Sequence, residues 1–392
     1  MPWKETCAMD ERLKMIADCL QGESSLTAIS LAYGVSRKTL YKWLRRYQRE
    51  GPRGLEESSR APRHQAQGVS VEVEKAILAL RKRYPSYGPK KIRAKLERKD
   101  PRRRWPAGST IGAILKRRGL IISRSRKARA CPGPSRLTAQ DEANRVWSVD
   151  FKGDFYTGDG VRCYPLTVTD GCSRYLLACQ GLTETSGGIV RAVMERLFRE
   201  YGLPEVIRSD NGPPFASTGI AGLTRLSAWW IQLGIVPERI QPGKPQQNGR
   251  HERLHRTLKE ETLLPVARSF REQQERFDRF RREYNEERPH EALGQHPPAE
   301  FYQASPRRYG GKAPEWAYPK SMETRRVKTH GEIGWRNRRW YVSEALAGQW
   351  VGLEEIEESR WRLCLGEVIL GVLDTEKTKI ERATGFARRE EE

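Results

Sequence analysis

Three acidic residues in the middle of the chain have neighbours that suit metal-assisted chemistry. Asp150 lies in the stretch WSVDFKG, Asp210 in SDNGPPF and Glu252 in QQNGRHERLHRTLK. Mg²⁺ prefers carboxylate oxygens and water as ligands. Two such ions about 3.5–4 Å apart activate a nucleophile and stabilise the leaving oxygen when a phosphodiester is cut. Three carboxylates that converge from separate elements would therefore form a divalent-metal site.

The pattern around these acids predicts a mixed α/β sheet in the order three strands, helix, strand, helix, strand, helix. Asp150 would lie within the first strand, Asp210 at the end of the fourth, and Glu252 on the last helix. Such an order allows the three acids to meet at one edge of the sheet. The predicted elements cover residues 146–153, 161–170, 174–179, 186–201, 204–208, 222–233, a strand near 235 and a helix from about 250.

Charge indicates the partner on which such a site would act. The 392 residues include 72 Lys+Arg and 50 Asp+Glu, a formal charge of +22. Residues 1–140 hold 33 of the basic and 12 of the acidic side chains, so the first third carries nearly all the excess. A local field of this kind attracts polyanions, of which nucleic acid is the commonest large one. An ordinary solvated basic face or a basic arm is the alternative.

The pattern of residues 1–55 favours a helix-turn-helix domain. Residues 24–32 have helical periodicity, Gly34 supplies a tight turn, and Ser36 caps a second, basic helix. In this motif the second helix enters the major groove of DNA. Leu40, Trp43 and Leu44 would face the core. The outward side chains predicted to contact DNA are Arg37, Lys38, Thr39 and Lys42.

A second helical unit is predicted at 69–130, after a linker at 56–68. Helices at 71–84, from Pro89 to about Lys99, and at 110–118 after a Ser109 cap suggest another helix-turn-helix or winged-helix-like domain. A plain helical bundle is the alternative for this unit. The side chains predicted to contact phosphate are Arg102, Arg103, Arg104, Lys116 and Arg117.

The helix that carries Glu252 would present a basic stripe to a DNA backbone. Glu252, His255, Arg256 and Lys259 recur at i, i+3, i+4 and i+7, whereas Leu254 and Leu258 lie on another face. The preceding Gly/Pro-containing loop offers three further candidates for DNA contact, with a plain polar loop as the alternative: Lys244, Gln247 and Asn248.

Rival interpretations exist for these residues. Asp154 and Asp159 suit turns, and Asp170 suits the cap of the turn that follows it. A supporting role behind the metal site is the alternative for Asp170. HERLH has the form HExxH, in which His251 and His255 would bind zinc and Glu252 would act as the base of a metalloprotease. That alternative leaves the basic head and both Asp motifs unexplained.

The end of the chain predicts a small β domain. Short alternating runs separated by turn signals at 322–380 fit a small barrel, and the segment after Asp374 is expected to fray. No stretch approaches the ~20 apolar residues of a membrane span, and the N-terminus lacks the apolar core of a signal peptide. These features predict a cytoplasmic protein that does not bind membranes.

The three acidic motifs, together with YNEERPHEAL, resemble those of bacterial insertion-sequence transposases of the DDE type. The resemblance covers residues 137–303 and implies an RNase H-like core similar to that of retroviral integrases. It implies that Asp150, Asp210 and Glu252 are catalytic and hold two Mg²⁺ or Mn²⁺ ions. The implied fold is multidomain: helix-turn-helix units, an α/β RNase H-like core and a small β-barrel-like C-terminal module.

The resemblance also implies partners and an activity. Double-stranded DNA, as element ends and as target, would be cut and joined by a homo-oligomer in a bacterial cytoplasm, on the nucleoid. Two other functions fit the same residues. One is a DNA-binding regulator on an inactive integrase fold, and the other is a metal-dependent nuclease that does not join strands.

Overall fold

The N-terminal helices form a three-helix unit with its own apolar core. The computed structural model describes residues 7–57, 69–121, 137–241 and 244–388, and the chain divides into two units, 1–68 and 69–392. In the first unit Ile16, Leu40 and Trp43 are buried together. Its helices are α1 (Ala8–Gln21), α2 (Leu26–Ala32) and α3 (Arg37–Glu50), followed by a 3₁₀ turn at Gly51–Leu55.

The turn between α2 and α3 follows the local chemistry of the sequence. Gly34 has φ 63°, a conformation that costs a residue without Cβ little. The Ser36 hydroxyl accepts a hydrogen bond from the Thr39 amide at 3.1 Å and so caps α3. Arg37, Lys38 and Lys42 are exposed, as predicted, and Thr39 is half-buried. Helix α1, which the sequence analysis did not predict, completes the core behind them.

Three more helices open the second unit. They are α4 (Val71–Arg83), α5 (Pro89–Lys99) and α6 (Gly108–Arg117). Ile77, Ile92 and Ile111 are fully buried between them. The predicted cap at Ser109 is wrong, because Ala107 already has extended N-cap geometry and Ser109 falls in the first turn. Gly119 follows the C-cap residue Arg118 and adopts φ 68°, which is typical of this position.

A six-stranded sheet, in which one strand is short, forms the centre of the second unit. The strand order is β4-β3-β1-β5-β6, and β2 pairs with the start of β3. Neighbours β1, β3 and β4 are antiparallel, whereas β1, β5 and β6 are parallel. The elements are β1 (Val146–Phe151), β2 (Phe155–Tyr156), β3 (Arg162–Asp170), β4 (Leu176–Leu182), α7 (Gly187–Tyr201), β5 (Val206–Ser209), α8 (Arg225–Gln232), β6 (Val236–Arg239), α9 (Gly249–Thr262) and α10 (Phe270–Arg282).

Helices cover both faces of this sheet. Trp147 and Val149 of β1 pack with α7 and α8, where Trp229 and Trp230 are buried. On the other face, Leu254, Leu258 and Phe277 of α9 and α10 pack on β3 and β4. Because side chains alternate along a strand, Asp150 belongs to the face that α9 and α10 cover. The sheet therefore places this acid beneath the helix that carries Glu252.

Residue Asn285, in the YNEERPHEAL motif, closes the outer edge of β4. Its buried amide accepts from the Leu176 N–H at 2.8 Å and donates to the Leu176 carbonyl at 3.0 Å. An edge strand exposes unpaired backbone groups, and this side chain occupies the place of a neighbouring strand.

The C-terminal region forms an open five-stranded antiparallel sheet and a hairpin. The order β13-β12-β11-β10-β7 contains no pairing of β13 with β7 among the described residues, so the predicted barrel closure is not seen. The strands are β7 (Glu323–Arg326), β8 (Glu332–Trp335), β9 (Arg338–Tyr341), β10 (Trp350–Glu357), β11 (Arg360–Leu365), β12 (Val368–Asp374) and β13 (Lys379–Arg388).

The expectation that the chain frays after Asp374 is wrong. β13 pairs with β12 from Asp374↔Lys379 to Val368↔Arg388. Its sequence is rich in charge, so backbone pairing rather than an apolar pattern defines the strand. Across all described ranges, no helix combines the length and apolarity needed to cross a membrane.

Candidate active site

Asp150 lies half-buried near the end of β1, under the start of α9. Its Oδ2 accepts a hydrogen bond from the Asn248 side-chain amide at 2.8 Å. Burial, and next the charge of Asp210, raise the pKa of Asp150 from 3.8 to about 7. Two carboxylates whose charges interact in a partly buried site cannot both ionise without cost. A divalent cation would remove that cost.

Asp210 follows β5 directly, at the same edge of the sheet. The parallel pairing of Ser148 with Arg208 brings the ends of β1 and β5 together. Oδ1 of Asp210 is buried and has no hydrogen-bond partner among the described residues. Buried polar atoms without a protein partner are rare and often bind ions or water. The Asp150–Asp210 pair therefore fits hard cations such as Mg²⁺.

Glu252 lies in the first turn of α9 and is exposed. Neither Glu252 nor Asp210 belongs to the cluster of potential metal ligands found among the described residues. The described residues whose potential ligand atoms lie within 4.8 Å of one another are Asp150, His251 and His255. The two aspartates lie at the ends of neighbouring parallel strands, and the exposed Glu252 lies one residue beyond the buried His251.

His251 and His255 face the sheet, not the solvent. They are 2% and 8% exposed, and their Nε2 atoms lie 2.6 and 2.8 Å from the Thr167 hydroxyl. Burial lowers the pKa of His251 to about 3 and that of His255 to about 2, so both are neutral. Thr167 stands opposite Asp150 in the β1–β3 register and donates to the Asp150 carbonyl at 3.1 Å.

The prediction that His255 contacts DNA is therefore wrong. Its imidazole lies on the inward face of α9 with Leu254 and Leu258, because that face extends over the sheet. The zinc-protease alternative also loses support, since the nitrogens that would bind zinc both contact Thr167. The recurrence of His251, Leu254, His255 and Leu258 on one helical face was a signal for burial. The remaining cations of the stripe, Arg256 and Lys259, are exposed.

Two of the three candidate DNA-contacting residues in the loop before α9 form hydrogen bonds within the protein. Gln247 accepts from the Gln241 backbone N–H at 2.8 Å and donates to the Gln241 side chain. Asn248 donates to Asp150, a role that the sequence analysis missed. Lys244 is exposed. Asn248 thereby links the loop to the first acid.

The other basic candidates are accessible. Arg102, Arg103 and Arg104 follow α5 and are exposed, as are Lys116 and Arg117 at the end of α6. Arg103 also lies over the Trp105 ring at 5.3 Å. These positions are compatible with contact to phosphate.

The rival acids are occupied elsewhere. Asp154 pairs with Arg162 at 2.7 Å, and Asp159 accepts from the Thr157 hydroxyl at 2.5 Å and the Phe270 N–H at 3.0 Å. Asp170 is 1% exposed and caps its turn, accepting from Ser173 N and Oγ and from the Asn144 N–H at 2.6–2.8 Å.

Asp170→Asn is expected to lower the free energy of unfolding by about 2 kcal/mol, because it deprives buried donors of their acceptor. Urea denaturation measures this change. Asp154→Asn, which breaks only a surface pair, should cost less than about 1 kcal/mol. Equal losses in the two variants would contradict the capping role.

Asp150→Asn is expected to stabilise the metal-free chain. A carboxyl group whose pKa is raised in the folded state does not destabilise that state at about pH 4. Its destabilising effect on the folded state is fully present above about pH 7. A rise of this size corresponds to about 4 kcal/mol, and partial exposure reduces the expected gain to about 2 kcal/mol. Urea denaturation in EDTA at about pH 8 should show this gain, which should vanish near pH 4. A destabilised variant at the higher pH would contradict it.

Family comparisons agree with this fold. Residues 140–245 and 233–298 match families described as integrase core domains. Residues 11–63 match a helix-turn-helix domain, and residues 39–115 match a homeodomain-like domain. The chain therefore resembles proteins that have helix-turn-helix domains followed by an integrase core domain, and the predicted resemblance to insertion-sequence transposases of this architecture is confirmed.

The relatives include proteins of bacterial insertion elements. The chain is 32% identical over 203 residues to the insertion element IS407 uncharacterized 31.7 kDa protein of Burkholderia multivorans, covering 50% of this chain and 65% of that protein. It is 31% identical over 185 residues to the IS476 uncharacterized 39.2 kDa protein of Xanthomonas euvesicatoria, covering 46% and 51%. The chain thus spans less than two thirds of either relative. The catalytic core domain of BIV integrase aligns at 21% identity and TM-score 0.31, over 41% of this chain and 93% of that domain.

Proposed function

We propose that this protein is a DNA transposase that cuts and joins DNA strands at a site formed by Asp150, Asp210 and Glu252. The observation that carries the proposal is the aspartate pair at the ends of two parallel strands. Asp150 has a raised pKa, and Asp210 has a buried oxygen that finds no hydrogen-bond partner in the described part of the chain. An integrase core around this pair supports polynucleotidyl transfer as the reaction class.

Two Mg²⁺ or Mn²⁺ ions bound there would supply the positive charge that activates the attacking oxygen and stabilises the leaving one. The chain's own residues hold the acids in place. Asn248 orients Oδ2 of Asp150, and the sheet fixes Asp210 beside it. Glu252, on the exposed side of α9, would complete the ligand set from the side where DNA approaches.

The helix-turn-helix head would bind the terminal repeats of the element. Its contacts would come from Arg37, Lys38, Thr39 and Lys42 on α3, with support from the exposed cations of the second helical region. Arg256, Lys259 and Lys244 would contact the backbone near the cut. Two element ends must meet for strand transfer, so we expect a homo-oligomer on double-stranded DNA, on the bacterial nucleoid.

A strand-transfer assay on labelled terminal-repeat DNA tests the proposal. With Mg²⁺ the wild-type chain should cleave the repeat end and join it to a second duplex, and EDTA should abolish both steps. Cleavage without joining would replace the proposal with a nuclease. Specific binding without cleavage in Mg²⁺ or Mn²⁺ would replace it with a DNA-binding regulator.

A further inference from the structure

We propose that Thr167 is a positioning residue, which holds α9 against β1 and thereby sets the separation of Glu252 from Asp150. This inference rests on the proposed function, because it assigns a role within the same site. Thr167 is fully buried on β3 and is not one of the acidic residues. Its hydroxyl contacts the strand that carries Asp150 and the helix that carries Glu252.

Only one assignment of donors and acceptors makes all three contacts of the Thr167 hydroxyl hydrogen bonds. The Asp150 carbonyl only accepts, so the single hydroxyl proton of Thr167 must go to it. The two remaining lone pairs of the hydroxyl then accept from His251 and His255, which must both carry their proton on Nε2. Nδ1 of His251 is buried without a partner among the described residues, consistent with an unprotonated nitrogen.

The hydrogen-bond partners of the Thr167 hydroxyl connect it to residues of the proposed active site. The carbonyl that accepts from Thr167 belongs to Asp150 itself. His251 precedes Glu252 directly in the first turn of α9. The imidazole rings of His251 and His255 have centroids 4.8 Å apart and meet at 77°, so both converge on one hydroxyl. A displacement of this hydroxyl would move the helix start relative to the strand.

The same hydroxyl occupies the space that a metal held by the two imidazoles would need. The Nε2 atoms lie 2.6 and 2.8 Å from Oγ1, which are ordinary hydrogen-bond distances. The cluster of Asp150, His251 and His255 is therefore a structural link between β1, β3 and α9. The HExxH spacing serves this link, because residues i and i+4 share one helical face.

The test compares Thr167→Val, which removes the hydroxyl at nearly constant volume, with Thr167→Ser, which keeps it. Thr169→Val is the matched control on the same strand and the same face, since the Thr169 side chain makes no hydrogen bond to a described residue. Full-length chains are assayed for terminal-repeat affinity, for cleavage rate against Mg²⁺ concentration, and for histidine tautomers by ¹⁵N NMR.

Thr167→Val is expected to lower the cleavage rate or the Mg²⁺ affinity by about 10–100-fold, the usual effect of losing a support behind a metal ligand. Terminal-repeat affinity should stay unchanged. Thr167→Ser should restore cleavage, and Thr169→Val should resemble wild type. In the wild-type spectrum both histidines should be protonated on Nε2, and in Thr167→Val this pattern should change.

Two results would overturn the inference. One is Thr167→Val cleaving like wild type with unchanged Mg²⁺ dependence. The other is a wild-type spectrum in which either buried histidine carries its proton on Nδ1. Failure of the proposed function gives a different result from failure of this inference. The wild-type chain would then not cleave DNA, whereas its two histidines could still be protonated on Nε2.

Discussion

Asp150→Asn, Asp210→Asn and Glu252→Gln are each expected to lower metal-dependent strand transfer about a thousandfold or more. Each change removes a negatively charged oxygen ligand, and metal ions at such sites contribute several kcal/mol to the transition state. A loss of about 4 kcal/mol corresponds to three orders of magnitude in rate. Single-turnover cleavage and joining of terminal-repeat DNA measure the effect.

The matched control is Asp154→Asn, which removes an exposed acid paired with Arg162. It should cleave like wild type. Terminal-repeat affinity should persist in all three site variants, so that lost activity reports chemistry and not binding. Joining that survives Glu252→Gln alone would restrict the site to the aspartate pair. Joining that survives all three substitutions would exclude the triad.

Deletion of residues 1–68 is expected to have the second large effect, which is on DNA binding. We expect it to lower affinity for terminal-repeat DNA by about 10³-fold, toward the level of non-specific binding. The remaining unit should stay folded, because residues 1–68 form a separate compact unit with their own core. The salt dependence of binding should also become shallower, by about 0.9 log unit for each lost phosphate contact.

Point variants separate recognition from folding in this head. Lys42→Ala and Arg37→Ala should weaken repeat binding, because both side chains are exposed on the helix predicted to enter the groove. Lys14→Ala is the control, since Lys14 lies on α1 and pairs with Glu11 at 3.2 Å. A deletion that leaves repeat affinity intact would move specific recognition to the second helical region.

Local sequence patterns predicted most of the helices and strands of this fold. Alternation, helical periodicity and cap residues placed the helices and strands around the central sheet in their order, because these features depend on neighbours a few residues apart. The same kind of signal located the turn at Gly34 and the cap at Ser36. It failed at α1, whose amphipathic pattern was not interpreted as a helix, and at β13, where pairing with β12 matters more than apolar residues.

The sequence by itself determined which acids could do the chemistry and where the basic head lies. The spacing of Leu254 and Leu258 indicated an inward face of α9, but only the tertiary structure decided that the two histidines contact Thr167 on that face. His255 was assigned to the DNA side by spacing from Glu252, yet it is buried beside Thr167. Residues 167 and 255 are far apart in the chain, and no local pattern encodes their contact. The raised pKa of Asp150 has the same origin, because burial and Asp210 act on it only after β1 and β5 have paired.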